Sequence, residues 1–375
     1  MINNKNIIIA GGGTGGHLFP AFEIMKLLKN KKFNLFYIGS KYGIEAKHKI
    51  PYAEKTYLID IKGIQRTINF QAFKTNFLFP FKFFNAYIKI KKITKKINPI
   101  LIIGTGGYSS GIPLLIGTHL KIPTLIQEQN SIPGLVTKKL YKKVNCVCVA
   151  YTETKKILKS NNIILTGNPL PFKNNNLNKE EARNHLKLNQ NKRTILIIGG
   201  SQGAAPLNQH FYDNYEFYKK NDYQIILQCG ENNYNSIPDY IKNQKNIMIR
   251  GFFDKENMLK VYKAADIVVA RAGAISISEL TYLSKAMILI PYTYAADNHQ
   301  QINAESIKNK KACIIIQQNE LNTRILEKTI NRLFNENLIN QLEQYSFKAS
   351  FPDAIDSIYK EIKSIIGENH KLGNA

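Results

Sequence analysis

Short apolar runs of a few residues recur along this chain. Each is followed by a longer stretch in which apolar positions return every three or four residues. The first pattern is that of a strand buried on both faces, and the second that of a helix with one buried side. Runs at 7–10, 33–38, 100–103, 124–126, 145–150 and 163–166 predict the strands of a first half. Runs at 194–198, 225–228, 247–249, 267–270, 287–290 and 313–316 predict a second set. Helices are expected between them, for instance at about 18–28 and 275–283. Such alternation predicts the α/β class, with doubly wound parallel sheets covered by helices.

The alternation breaks at Gly167-Asn168-Pro169-Leu170-Pro171, and a polar run, 173–179, follows. The expected domains are 1–166 and 167–350. At roughly 100–200 residues per domain, a length of 375 also suggests two. Beyond them Ile355, Ile358, Tyr359, Ile362 and Ile366 mark one face of an amphipathic helix within 351–375. That helix is a candidate to pack back on the first domain.

Three turns between strand and helix are rich in glycine. Gly11-Gly12-Gly13-Thr14-Gly15-Gly16 contains G-x-G-x-x-G, yet the second strand ends in Gly39-Ser40, with no acid to hold a ribose. A nicotinamide or flavin oxidoreductase is therefore disfavoured. His17 follows the glycines directly. Gly199-Gly200-Ser201-Gln202-Gly203-Ala204 follows a clear strand, and its N–H groups and the Ser201 hydroxyl suit a diphosphate. In Arg271-Ala272-Gly273-Ala274-Ile275-Ser276-Ile277-Ser278-Glu279, a carboxylate sits one turn into a helix, placed to accept hydrogen bonds from a diol such as ribose. No P-loop signature and no Asp-x-Asp occurs, so no metal or other cofactor is expected, and leaving-group charge falls to backbone dipoles and side-chain donors.

Charge changes the picture less than its size suggests. The net charge is +25, but only seven of the 52 basic residues are arginine. Nucleic-acid proteins favour arginine forks and clustered basic patches, so no nucleic-acid partner is expected. Cys146, Cys148, Cys229 and Cys313 have neither zinc-site nor disulfide-framework spacing and read as buried thiols. No signal peptide and no run of the ~18 apolar residues of a membrane span is seen. Between Asp60 and Glu128 there is no acid but ten Lys or Arg, interleaved with seven phenylalanines from Phe70 to Phe84. Phe73, Phe77, Phe81, Lys82 and Phe84 are the candidates to dock on an anionic bilayer surface, where each cation adds ~1 kcal/mol.

Seven motifs, in order, resemble those of the MurG family, the peptidoglycan transferases that add N-acetylglucosamine to lipid I to give lipid II. They are Thr14-Gly15-Gly16-His17, Gly104-Thr105-Gly106-Gly107-Tyr108, Gln127-Glu128-Gln129-Asn130, Gly167-Asn168-Pro169, the 199–204 turn, the 271–279 segment and His299-Gln300-Gln301-Ile302-Asn303-Ala304. The resemblance implies a GT-B fold, two Rossmann-like domains facing a cleft, and inverting transfer from UDP-N-acetylglucosamine. It places the acceptor and the membrane at the first domain and the UDP-sugar at the second, at the cytoplasmic face of the inner membrane. It implies that Ser201 meets the UDP phosphates, Glu279 the ribose, and the backbone near Phe253 the uracil edge. Ala274, Ile275, Ser276, Ile277 and Ser278 would line the donor sugar and phosphates. Asn130, Gln300 and Gln301 would hold sugar hydroxyls, and Thr14, Gly15 and Gly16 would face the acceptor pyrophosphate.

The chain departs from that family at three places. Pro171 stands where a donor-contacting arginine is usual, with Lys173 the nearest cation; Gln127 replaces the usual His and Ala272 the usual Ser. His17 has two readings, general base or anchor of the glycine loop. Rival readings of the whole chain are an enzyme resembling UDP-N-acetylglucosamine 2-epimerase, which needs no lipid face, and a basic nucleic-acid binder, which would lack UDP affinity.

Overall fold

The structure, a computed structural model, describes residues 4–47, 49–63, 77, 79–172, 175–200, 202–321 and 323–372. The chain divides into two compact units. The first comprises Met1–Leu170 and Asp353–Ala375, the second Pro171–Pro352.

The first unit is built on seven strands: β1 (Asn6–Ala10), β2 (Asn34–Ser40), β3 (Lys55–Ile59), β4 (Leu101–Gly104), β5 (Thr124–Glu128), β6 (Cys146–Val149) and β7 (Ile163–Leu165). They lie in the order β3-β2-β1-β4-β5-β6-β7, every neighbouring pair parallel. The second unit repeats the plan with β8 (Thr194–Ile198), β9 (Gln224–Gln228), β10 (Ile247–Arg250), β11 (Ile267–Ala270), β12 (Ala286–Leu289) and β13 (Ile314–Ile315). Their order is β10-β9-β8-β11-β12-β13, again all parallel. In both sheets the chain first grows outward one way, then crosses back to grow the other. The reversal falls between β1 and β4 in one unit and between β8 and β11 in the other. Two strand ends diverge there, and ligands of doubly wound sheets bind in that crevice.

The unbroken apolar runs follow from helices on both faces of each sheet. Ile7 and Ile9 of β1 pack into one cluster, with Leu18, Ile24 and Leu28 of the helix Gly15–Asn30. Ile8 and Ala10 enter the other, with Ile112, Leu114 and Ile116 of the helix Tyr108–His119. Successive side chains of a strand point to opposite faces, so a strand covered on both faces must be apolar at every position. The terminal helix Ala354–Leu372 belongs to the first of these clusters. Ile358, Ile362, Ile365 and Ile366 are buried there, at the spacing of one helix face. Full burial of each isoleucine contributes about 1.5–3 kcal/mol as an upper bound, enough to hold the chain end on the first unit.

Two differences from the sequence expectations have physical causes. β3 was not expected: as an edge strand it is half exposed, and Lys-Thr-Tyr-Leu-Ile hides its apolar positions among polar ones. The first helix starts at Gly15 rather than Leu18, because the left-handed turn is complete by Gly13 (φ 89°) and Thr14 takes the cap position. All four cysteines are free and buried.

Glu327, on the helix Thr323–Asn335, is buried and neither of its carboxylate oxygens has a hydrogen-bond partner. The Tyr218 hydroxyl is likewise buried without a partner. Burial pushes the Glu327 carboxyl up to about 7. The unfolded chain has released this proton by about pH 5 while the folded chain keeps it to about pH 7, so stability falls as pH rises through that window. Glu327→Gln should flatten this slope and raise stability at pH 8 by roughly 1–2 kcal/mol, read by urea unfolding at pH 5 and pH 8.

Candidate functional site

In the second unit, the 199–204 turn joins β8 to the helix Ala205–Asp213, and residues 271–273 join β11 to the helix Ala274–Tyr282. Both open at the switch point. The helix Ala274–Tyr282 begins at Gly273 with no side chain capping it. Its first N–H groups are unused within the helix and favour an anion. Glu279 lies one turn further on, and the Tyr262 hydroxyl donates to its Oε2 at 2.9 Å. Burial and the neighbouring Glu279 push the Tyr262 phenol well up, so it stays a proton donor to that carboxylate.

Two side chains, Gln228, which the sequence did not single out, and Arg271, for which it offered no role, tie this edge together. Gln228, at the end of β9, donates through Nε2 to the Gly200 carbonyl at 3.0 Å. Its Oε1 accepts from the Phe253 N–H at 3.0 Å, so one buried carboxamide links the diphosphate turn to the Phe253 loop. Arg271 is buried as well. It donates to the carbonyls of Ile290 (3.1 Å) and Pro291 (3.2 Å) and to Oε1 of Gln318 (2.6 Å), and lies over the Tyr292 ring. The guanidinium thus fixes the chain leaving β12. From there Tyr292 N–H reaches Gln300 Oε1 at 3.0 Å.

The expected second-unit residues divide accordingly. Ala274, Ile275, Ser276, Ser278 and Glu279 lie at the switch-point helix start. Ser278 Oγ donates back to the Ala274 carbonyl at 2.9 Å. Ile277, expected to line the donor, has its side chain in the core at 1% exposure, so only its backbone is available. The Phe253 ring is buried, and its N–H is already committed to Gln228. Gln300 and Gln301 open the helix His299–Lys308, where Gln301 donates to Glu305 on its own helix at 2.8 Å. Ser201 and Lys173 lie outside the described residues.

In the first unit the 11–14 turn and the 104–107 turn lie at the other switch point and pack back to back. A side chain on Gly107 (φ 75°) would collide with the Gly12 carbonyl, and one on Gly12 (φ 127°) with Glu45, so both turns need glycine. Beneath them sits Glu45, 1% exposed. Its Oε2 accepts from the Gly13 N–H and its Oε1 from the Ser40 N–H, both at 2.8 Å. The acid missing from the end of β2 is replaced by one five residues on, which holds the protein's own loop. Thr14 and Gly16 are exposed on the turn and Gly15 is buried.

His17 is half-buried in the first turn of its helix, with Nδ1 2.8 Å from Gln129 Oε1. Gln129 Nε2 donates to the carbonyls of Thr105 (2.9 Å) and Gln127 (3.0 Å), and Thr105 Oγ1 donates to the His17 carbonyl at 2.9 Å. Gln127, at the position of the family's histidine, donates to Asn168 Oδ1 at 2.9 Å. Glu128 is structural: it accepts from the Asn130 and Gly134 N–H groups and the Thr137 hydroxyl. It thereby orients the backbone carrying Asn130.

The helix Phe79–Ile97 buries Ala86, Ile90, Thr94 and Ile97. Phe81, Phe84 and Ile88 are exposed along its other side, in line with the exposed Phe77 just ahead of it. Lys82, on the same helix, pairs through Nζ with Asp60 at 3.1 Å, both side chains remaining exposed. Phe73 lies outside the described residues.

Two Rossmann-type units, each with glycine-rich turns meeting at its switch point, define the GT-B fold class. Residues 7–149 match the model of the glycosyltransferase family 28 N-terminal domain, and residues 194–358 that of its C-terminal domain. The chain belongs to glycosyltransferase family 28 and, within it, to the MurG family. A relative from Flavobacterium psychrophilum is 36% identical, across 95% of this chain and 98% of its own. One from Bacillus subtilis is 33% identical, across 96% and 99%. Both bear the name UDP-N-acetylglucosamine–N-acetylmuramyl-(pentapeptide) pyrophosphoryl-undecaprenol N-acetylglucosamine transferase. The crystal structure of MurG from Acinetobacter baumannii is similar at a TM-score of 0.75 and 25% identity, covering 96% of this chain and 99% of that one. A putative UDP-N-acetylglucosamine 2-epimerase from Listeria monocytogenes, 11% identical with a TM-score of 0.67, shares the fold.

Glu45 should be a carboxylate on which the first unit's stability depends. Glu45→Gln sets an amide N–H against one of two backbone donors. It should cost about 1–3 kcal/mol of stability, read as a lowered melting temperature of the full chain.

Proposed function

We propose that this chain transfers N-acetylglucosamine from UDP-N-acetylglucosamine to the 4-hydroxyl of N-acetylmuramic acid on lipid I, forming lipid II, with inversion and without a metal ion. The observation that carries the reading is the pairing, at one switch point, of a glycine-rich turn suited to a diphosphate with a helix whose second turn presents Glu279. Family membership supplies the sugar and the acceptor. The second unit takes the donor. The 199–204 amides and the Ser201 hydroxyl hold the diphosphate, and the backbone of 274–278 completes the cradle. Glu279 accepts from the ribose hydroxyls, and Gln300 and Gln301 serve the sugar. Uracil lies against the backbone near Phe253, with the Phe253 N–H itself kept by Gln228.

The first unit takes the acceptor. Thr14, Gly15 and Gly16 face the pyrophosphate, and Asn130 meets a sugar hydroxyl. The acceptor hydroxyl oxygen attacks the anomeric carbon from the side opposite the phosphate. As that bond forms, the bond from anomeric carbon to phosphate oxygen breaks, and UDP leaves with the electron pair. The hydroxyl proton passes to His17, which returns it to solvent. Backbone amides stabilise the developing charge on the departing diphosphate.

A lipid-linked acceptor requires a place at the bilayer surface. Among the described residues, no helix is long and apolar enough to cross a membrane. The stripe of Phe77, Phe81, Phe84 and Ile88, followed by Lys92 and Lys95 on the same helix face, suits a peripheral position on the anionic cytoplasmic leaflet.

Two measurements test the reading. Tyr262→Phe removes the donor that orients Glu279, and should weaken UDP binding roughly tenfold by calorimetry while Glu279→Gln weakens it at least as much. Unchanged affinity in both variants would remove Glu279 from the nucleotide site. Phe81→Ser with Phe84→Ser should cut co-sedimentation with phosphatidylglycerol vesicles several-fold while leaving UDP affinity as it was. Equal sedimentation would reject the docking face.

A further inference from the structure

We propose that Gln129 is a positioning residue that fixes His17 in the tautomer protonated on Nδ1, leaving the lone pair on Nε2. The functional part of this inference rests on the reading of His17 as proton acceptor; the tautomer does not.

The argument starts from groups whose hydrogen-bonding sense is beyond choice. A backbone carbonyl oxygen can only accept. One end of the Gln129 carboxamide lies 2.9 Å from the Thr105 carbonyl oxygen and 3.0 Å from that of Gln127. The same end contacts the side-chain oxygen of Gln127, whose own Nε2 is committed to Asn168 Oδ1. Three acceptors converge on that end, so it must be the NH2 group. The reversed orientation would set an oxygen against three oxygens in a site where Gln127, Gln129 and Asn168 are all 2% exposed or less. Such burial makes an unpaired or repelling polar contact costly. Asn168 closes the network by donating from Nδ2 to the Gln129 carbonyl at 3.2 Å.

With its nitrogen so fixed, Gln129 turns its oxygen towards His17. That oxygen lies 2.8 Å from Nδ1 and can only accept. Nδ1 therefore carries hydrogen, and in the neutral ring Nε2 does not. Free histidine in water favours the opposite tautomer, so the network works against the intrinsic preference of the ring. The contact also accounts for a glycine. A side chain on Gly106 (φ 94°) would begin 2.5 Å from His17 Nδ1 and 3.3 Å from Gln129 Oε1. The 104–107 turn is bare where histidine and glutamine meet above it.

The consequence for the reaction is specific. A base that takes the acceptor hydroxyl proton needs an available lone pair, and Gln129 assigns it to Nε2. After transfer the ring is an imidazolium, still donating from Nδ1 to Gln129. A base held in the wrong tautomer loses most of its effect even when its position is kept.

The test is nitrogen-15 NMR of the full chain labelled at histidine, with the His17 signals assigned by their loss in His17→Gln. The wild type should show a protonated Nδ1 and an unprotonated Nε2 in the neutral ring. Gln129→Met, which keeps the length but removes the acceptor, should give a mixture of tautomers. It should lower kcat about tenfold with KM for both substrates nearly unchanged. A wild-type ring protonated on Nε2 would overturn the proposal, and so would an unchanged tautomer in Gln129→Met. A mixed tautomer with undiminished turnover would instead overturn the reading of His17 as base and leave the tautomer assignment standing.

Discussion

A parallel sheet covered on both faces leaves its carboxyl edge as the place where main-chain groups end without partners. At a switch point two strand ends diverge, and the turns that follow must come close enough to leave a crevice rather than a gap. Here that constraint is met by buried polar side chains. Glu45 accepts two N–H groups under the first turn. Gln129 donates to two carbonyls beside the second. Gln228 bridges the 199–204 turn and the Phe253 loop, and Arg271 gathers carbonyls beyond β12. Each satisfies groups that would cost about 1–3 kcal/mol if buried unpaired. The surfaces offered to ligands are the backbone amides left over once these partners are in place.

The two units use this edge differently. In the second, the helix starting at Gly273 and the glycine turn after β8 offer N–H dipoles, and the carboxylate of Glu279 is oriented by a buried tyrosine. That set suits a ligand with an anionic middle and a diol at one end. In the first, the carboxylate faces inward to its own loop, and the outward groups are a threonine, glycine amides and an imidazole. A unit of that kind can receive a phosphate ester but has no diol acceptor in place of Glu45. Nearly the same strand order therefore presents two different sets of groups at its edge, set by where a single acid lies relative to its turn.

The helix Phe79–Ile97 shows a second division of labour. Its buried side is small and aliphatic and joins the first unit's core. Its outer side keeps large aromatic rings in solvent, which a surface with no partner seldom does at such density. The pairing of Lys82 with Asp60 falls near the start of that helix, with both side chains exposed.

Much of this was legible in the sequence because the signals were local. Four-residue runs such as Ile267-Val268-Val269-Ala270 specify buried parallel strands, and glycines followed by helical periodicity specify the turns and the edge at which they open. Glu279 could be assigned a role because its distance from Gly273 along one helix is fixed by the helix itself. Composition and the Lys82 position suggested a cationic face without disclosing its neighbours. What only tertiary structure decided is pairing across long stretches of chain. Glu45 reaches Gly13, His17 meets Gln129, Tyr262 holds Glu279, and Arg271 reaches Gln318. No periodicity encodes such partners, because they depend on which strands lie side by side and on which end of a carboxamide faces a carbonyl. The sequence determined most of the strands and the glycine-rich turns at their ends; the packed structure decided which partners the polar atoms of those residues take, since a buried polar group must first satisfy its neighbours.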